Sequence, residues 1–394
     1  MKLRITKKAN IDNIKTICLS IFFFMTVVIF LYQYNSMMFG LRYGFMLIGA
    51  LLGLWSCLRG RVKFYRPLVL LGVLFLCWGI CYLGQNGYLN YSFSNLLYSF
   101  LYIGLSITLL NNKYSHISTV FILVFATITV LLRILQHVNM NHILLANSRN
   151  YISILLLLPI LLYYISCHDK KKPIYIIPVI LYFYISIYAV GRGGIVSAGF
   201  LTVTLCIYKA NHIKNKAGRR IIWFFILIIA ITMAIYLSNF DALVLNKILN
   251  TNFSRFFLKG TTDVSRQTVW AAFFKNNMRS LGTFLVGSNV ELARYDGNLH
   301  NSFLQAYASY GLIGFLVLLS LIIRSAVQSI RQKDTLFLIL LIALSFRALT
   351  DRVFFQGYCE IFLYYFIFYW DYQKRKVRSQ AIPEEYTILA LELV

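Results

Sequence analysis

The sequence predicts an all-α polytopic membrane protein of about twelve transmembrane helices with one large extracytoplasmic loop. Three observations predict it. Hydrophobic residues make up 59% of the 394-residue chain against 13% charged, with a mean hydropathy of +0.69, more apolar surface than a soluble domain of this size can bury. Apolar runs of about 20 residues, the length that crosses a hydrocarbon core about 30 Å thick, recur along the chain. Basic residues cluster at every second gap between these runs, as orientation by charge requires.

In order, the runs fall near 16–34, 40–58, 66–84, 94–110, 117–135, 150–166, 174–190, 194–209, 221–238, 302–323, 335–350 and 354–371. The opening MKLRITKKANIDNIK is basic, and no A-x-A-like cleavage site follows it, so it reads as the flank of a first span rather than a removed signal peptide. With both ends in the cytoplasm, 25 of the 38 basic residues lie on the cytoplasmic side. The organisation is then 1–238 as spans one to nine, 239–300 as an outer loop, 301–372 as spans ten to twelve, and 373–394 as a cytoplasmic tail.

The formal net charge of +25 does not mark a nucleic-acid binder, because the charges alternate with spans instead of forming a face with interleaved aromatics. The seven cysteines lie in or beside apolar runs without C-x-x-C or Cys/His spacing, so neither zinc nor a disulfide framework is indicated. Cys77 and Cys81 share a helix face as small packing residues.

Loops as long as residues 239–300 usually carry function. Within this one Asp263 can cap a helix to about Met278, with Val269, Trp270, Phe273 and Phe274 as an apolar stripe beside Arg266 and Lys275. Such a helix either lies on the membrane surface or packs on the bundle.

Outside the membrane thirteen basic residues face six acids. Arg149, Arg192, Arg255, Arg266, Arg294, Arg347 and Arg352 stand at span ends or in the outer loop. Arginine there runs against insertion preference, and a phosphorylated lipid compensates, because guanidinium forks grip phosphate oxygens in pairs. The plainer account is snorkelling to headgroups. Arg192 sits in Gly191-Arg192-Gly193-Gly194, where backbone approaches a ligand closely and the next helix start favours an anion. A tight turn uses the same residues.

His300 precedes Asn301 and Ser302, either of which can cap span ten. It therefore hangs at the outer surface, where an imidazole is suited to take a proton or to serve as a hydrogen-bonded loop residue. Asp351 between Arg347 and Arg352 reads as an ion-pair clasp or as part of an acidic-ligand site. Glu360 is expensive inside span twelve unless paired.

The GRGG turn, VSRQTVWAAFF in the outer loop, and LHNSFLQAYASYGLIGFLVLL closing it resemble the bacterial O-antigen polymerase and ligase superfamily, over roughly residues 185–325. The resemblance implies glycosyl transfer at the periplasmic face of the bacterial inner membrane, without a metal or other cofactor. The donor it implies is an undecaprenyl-pyrophosphate-linked glycan, O-antigen or capsule type. It gives Arg192 and Arg266 to the pyrophosphate and His300 to activation of the acceptor hydroxyl. Arg149, Arg255, Arg294, Asn301, Arg347, Asp351 and Arg352 are added as substrate-binding candidates from their location. Expected partners are membrane lipids and the pathway's flippase and chain-length regulator, with no nucleic acid. The HN…GxxG element favours polymerase over ligase. A twelve-span transporter or flippase is the alternative from another class.

Overall fold

The computed structural model describes residues 2–32, 36–59, 64–84, 90–111, 114–139, 142–144, 149–189, 191–212, isolated positions between 217 and 231, then 264–287, 299–354 and 357–381. Among the described residues every regular element is helical. In chain order these include α1 (Lys2–Leu31), α2 (Ser36–Arg59), α3 (Arg66–Gly84), α4 (Asn90–Asn111), α5 (His116–Leu135), α6 (Ile152–Asp169), α7 (Ile177–Tyr188) and α8 (Arg192–His212). After α9 (Val264–Asn277) and α10 (Leu281–Val286) come α11 (Ser302–Arg331), α12 (Thr335–Thr350) and α13 (Glu360–Ala381).

Seven described helices are long and apolar enough to cross a bilayer, and Leu96–Asn111, Ile177–Tyr188 and Thr335–Thr350 are shorter apolar helices. The apolar surface is arranged for a lipid solvent. Val69, Leu76, Ile80 and Leu83 of α3, and Ile117, Phe121, Ile128 and Leu132 of α5, are all exposed. A soluble protein rarely leaves patches on this scale open to water. The chain is an all-α polytopic membrane protein. Most of the ninth expected run, 221–238, and most of the expected outer loop lie outside the described residues.

The centre of the bundle is α6, apolar all round and buried from Ile152 to Cys167, as expected of a helix enclosed by others. Around it α2 and α4 meet through small residues. A Cβ on Gly104 would stand 2.7 Å from Ala50, and Thr108 Oγ1 donates to the Gly49 carbonyl at 2.6 Å. Small side chains let membrane helices approach until dispersion and such bonds hold them.

Helix starts follow local chemistry. Asn301 Oδ1 accepts from the Phe303 and Leu304 amides and begins α11; Asp334 Oδ1 accepts from Phe337 N and begins α12. The helix α11 is broken at Gly311, whose φ of 65° is left-handed. That conformation costs glycine little. A Cβ there would also meet the Leu285 carbonyl at 2.8 Å and Cys81 Sγ at 3.0 Å, so the break is where α10 and α3 press against α11.

Candidate functional site

One end of the bundle gathers three segments far apart in sequence. They are the start of α8, the start of α11 with the residue before it, and the end of α12 with the loop after it.

The end of α12 supplies a buried ion pair. Arg347 is 1% exposed, as is Asp351 one turn on, and Nη2 lies 3.2 Å from Asp351 Oδ2. The same guanidinium donates to the Asn150 carbonyl and Ser153 Oγ, both at 3.3 Å, and Nη1 donates to Thr350 Oγ1 at 2.9 Å. A buried charge is tolerable only when paired and hydrogen-bonded in this way. Asp351 Oδ1 accepts the Arg352 amide at 2.9 Å. Ser302 Oγ donates to the Asp351 carbonyl at 2.9 Å and accepts the amides of Val353 and Phe354 at 2.8 and 3.1 Å. One hydroxyl thereby ties the start of α11 to the turn after α12.

His300 stands at this junction. Its Nδ1 is 3.8 Å from Asp351 Oδ1, and its side chain is 41% exposed. The backbone φ of 51° turns it away from the helix that Asn301 caps. Leu299, fully buried just before it, is held from two directions. Trp270 Nε1 on α9 donates to its carbonyl at 2.9 Å, and its amide donates to Gln305 Oε1 at 3.4 Å.

The GRGG turn reaches the same place. Arg192 opens α8, and a Cβ on Gly193 would stand 2.5 Å from Thr350 Oγ1 while one on Gly194 would stand 2.4 Å from Ser153 Oγ. No side chain fits at either position, so the first turn of α8 packs directly on the groups that hold Arg347. The partial positive charge of a helix N-terminus therefore lies at the same bundle end.

The candidates divide accordingly. His300, Asn301, Arg347, Asp351 and Arg352 converge, and the backbone of Arg192 joins them. Arg149 opens the 3-10 turn Arg149–Tyr151, half-buried beside Asn150. Arg266 lies on α9, the helix that holds Leu299. The side chains of Arg192 and Arg266, and all of Arg255 and Arg294, lie outside the described residues. Three residues expected to bind substrate have partners inside the protein. Both terminal nitrogens of Arg347 donate within the protein, Asp351 is buried against it, and Asn301 spends its side-chain oxygen on the α11 cap.

Sequence reasoning passed over Asn150, Ser153, Thr350 and Gln305 and gave Ser302 only a capping role; these are ordinary polar residues whose importance comes from packing. The apolar stripe of α9 meets the bundle: Val269 and Phe273 are buried with Leu299, Tyr307 and Ala308, while Phe274 stays exposed.

Chemically, the arrangement presents an imidazole with one nitrogen toward a buried carboxylate and the ring edge reaching solvent. A carboxylate beside one ring nitrogen leaves the other edge of the imidazole open to an incoming group. Among the described residues no His/Cys/Asp/Glu group has metal-holding geometry. No family model matches the chain, and no curated protein or solved structure matches it either.

Proposed function

We propose that the chain is a membrane glycosyltransferase of the O-antigen polymerase type, joining undecaprenyl-pyrophosphate-linked repeat units at the periplasmic face of a bacterial inner membrane. The reading includes twelve spans with both termini cytoplasmic, so that the His300 end of the bundle faces outward. The observation that carries it is the convergence of His300, the Arg347–Asp351 pair and the first turn of α8 at that one end.

The chemistry has two demands. The acceptor hydroxyl must lose a proton as it attacks the anomeric carbon of the donor. The bond from that carbon to the pyrophosphate oxygen must break, sending the electron pair to the lipid pyrophosphate. His300 accepts the proton, and Asp351 stabilises the imidazolium that forms. Positive charge at the α8 start, with Arg192 and Arg266, receives the leaving group. Arg352 and Arg149 add charge along the same rim.

The test is deletion of the gene and complementation with His300→Ala. Loss of long chains with a single attached repeat unit retained supports polymerase. Loss of every attached repeat, with polymer accumulating on its lipid carrier, identifies a ligase instead. Full complementation by His300→Ala removes the imidazole from the chemistry.

A further inference from the structure

A second charged cluster lies at the opposite end of the bundle, where α3 begins and α13 passes. Arg66 Nη1 and Asp371 Oδ2 pair, while Arg324 Nη2 pairs with Asp371 Oδ1 at 2.9 Å. Both oxygens of one carboxylate are therefore engaged by arginines from α3 and α11. A third guanidinium, Arg375, one turn beyond Asp371 on α13, lies over the buried Phe64 ring at 5.7 Å. Arg324 and Arg375 both repel Arg66 electrostatically. Three guanidiniums around one carboxylate leave a net charge of +2.

The depth of this cluster fits a headgroup layer. Arg66 opens α3, whose run to Gly84 is about 27 Å at helical rise, close to the thickness of the hydrocarbon core. Tyr65, exposed just before Arg66, and half-buried Trp370 beside Asp371 are aromatics of the kind that mark a membrane–water boundary. The Arg66 and Arg324 side chains are each 42% exposed, so an incoming headgroup can reach them. Guanidinium forks at this level match a phosphodiester with two non-bridging oxygens, and convergent basic side chains between membrane helices are a known recognition mode for acidic headgroups.

We propose that Arg66, Arg324 and Arg375 form a binding site for the headgroup phosphate of an acidic phospholipid, on the membrane face opposite His300. Asp371 draws Arg66 and Arg324 together through one oxygen each. This site depends on the membrane character of the chain and not on glycosyl transfer.

The experiment is native mass spectrometry of the detergent-purified full chain with added phosphatidylglycerol, phosphatidylcholine or inorganic phosphate. The expected result is retention of phosphatidylglycerol over phosphatidylcholine. Arg375→Gln, which leaves both pairings to Asp371 in place, weakens phosphatidylglycerol binding about fivefold, and Arg66→Gln with Arg324→Gln weakens it about 25-fold. The control pair Arg331→Gln with Lys333→Gln, on the turn between α11 and α12, leaves binding unchanged. Equal losses in the control pair, no loss in Arg375→Gln, or displacement of the lipid by inorganic phosphate would each overturn the proposal.

Discussion

His300 Nδ1 faces the buried carboxylate of Asp351 at 3.8 Å, across a joint where the start of α11 is bonded to the turn after α12. The imidazole stands just before the α11 cap, and the carboxylate closes the end of α12. Their approach is fixed by Ser302, Arg347 and the α11 cap rather than by their own attraction.

The first prediction concerns the imidazole. His300→Ala lowers chain extension about 10²–10⁴-fold, the usual contribution of a positioned acid–base group, while membrane abundance is unchanged because the side chain is partly exposed. Polymer length on gels, normalised to protein in the membrane, measures both. Wild-type polymer in this variant contradicts the role.

The Arg347–Asp351 pair separates positioning from stability. Arg347→Met leaves Asp351 as an uncompensated buried charge and destabilises by about 3–5 kcal/mol. Adding Asp351→Leu restores much of that stability but not the activity, because the carboxylate facing His300 is gone. Thermal unfolding in detergent beside a chain-extension assay reads the split. Recovery of activity in the double variant would show that Asp351 does not act on His300.

Close packing of α8 makes its glycines specific. Gly193→Ala puts a Cβ 2.5 Å from Thr350 Oγ1 and costs about 1–3 kcal/mol as overpacking. Gly79→Ala, on α3 where nothing lies within 4 Å, is neutral or mildly stabilising as a helix substitution. Unfolding temperatures of the two variants give the comparison, and equal effects would remove the close approach from the account.

Trp270 connects the outer-loop helix to the site. Trp270→Phe keeps the ring but loses the bond to the Leu299 carbonyl, worth about 1 kcal/mol. Chain extension then falls about fivefold, with unfolding temperature nearly unchanged. A variant with full activity would show that α9 does not hold Leu299 and His300 in place.

Much of the fold was legible. Hydropathy and length located the apolar runs, with 335–350 matching α12 from Thr335 to Thr350. The Asn301 cap was one of two, with Ser302, that the residue types before an apolar run offered, and an ion-pair clasp was one of two readings of Asp351 between Arg347 and Arg352. The break at Gly311 was not legible, because hydropathy is blind to backbone angle and the residues on both sides are apolar. Nor was the division of labour among the candidate residues. Arg347 and Arg352 look alike in sequence, and only burial among Asn150, Ser153 and Thr350 turns the first into an internal strut.

Purified protein in proteoliposomes supplied with lipid-linked repeat units separates glycosyl transfer from transport. Glycan lengthening with release of undecaprenyl pyrophosphate by the wild type, and neither with His300→Ala, is the outcome expected of glycosyl transfer. Movement of the lipid-linked sugar across the bilayer without lengthening would contradict it and identify a transporter.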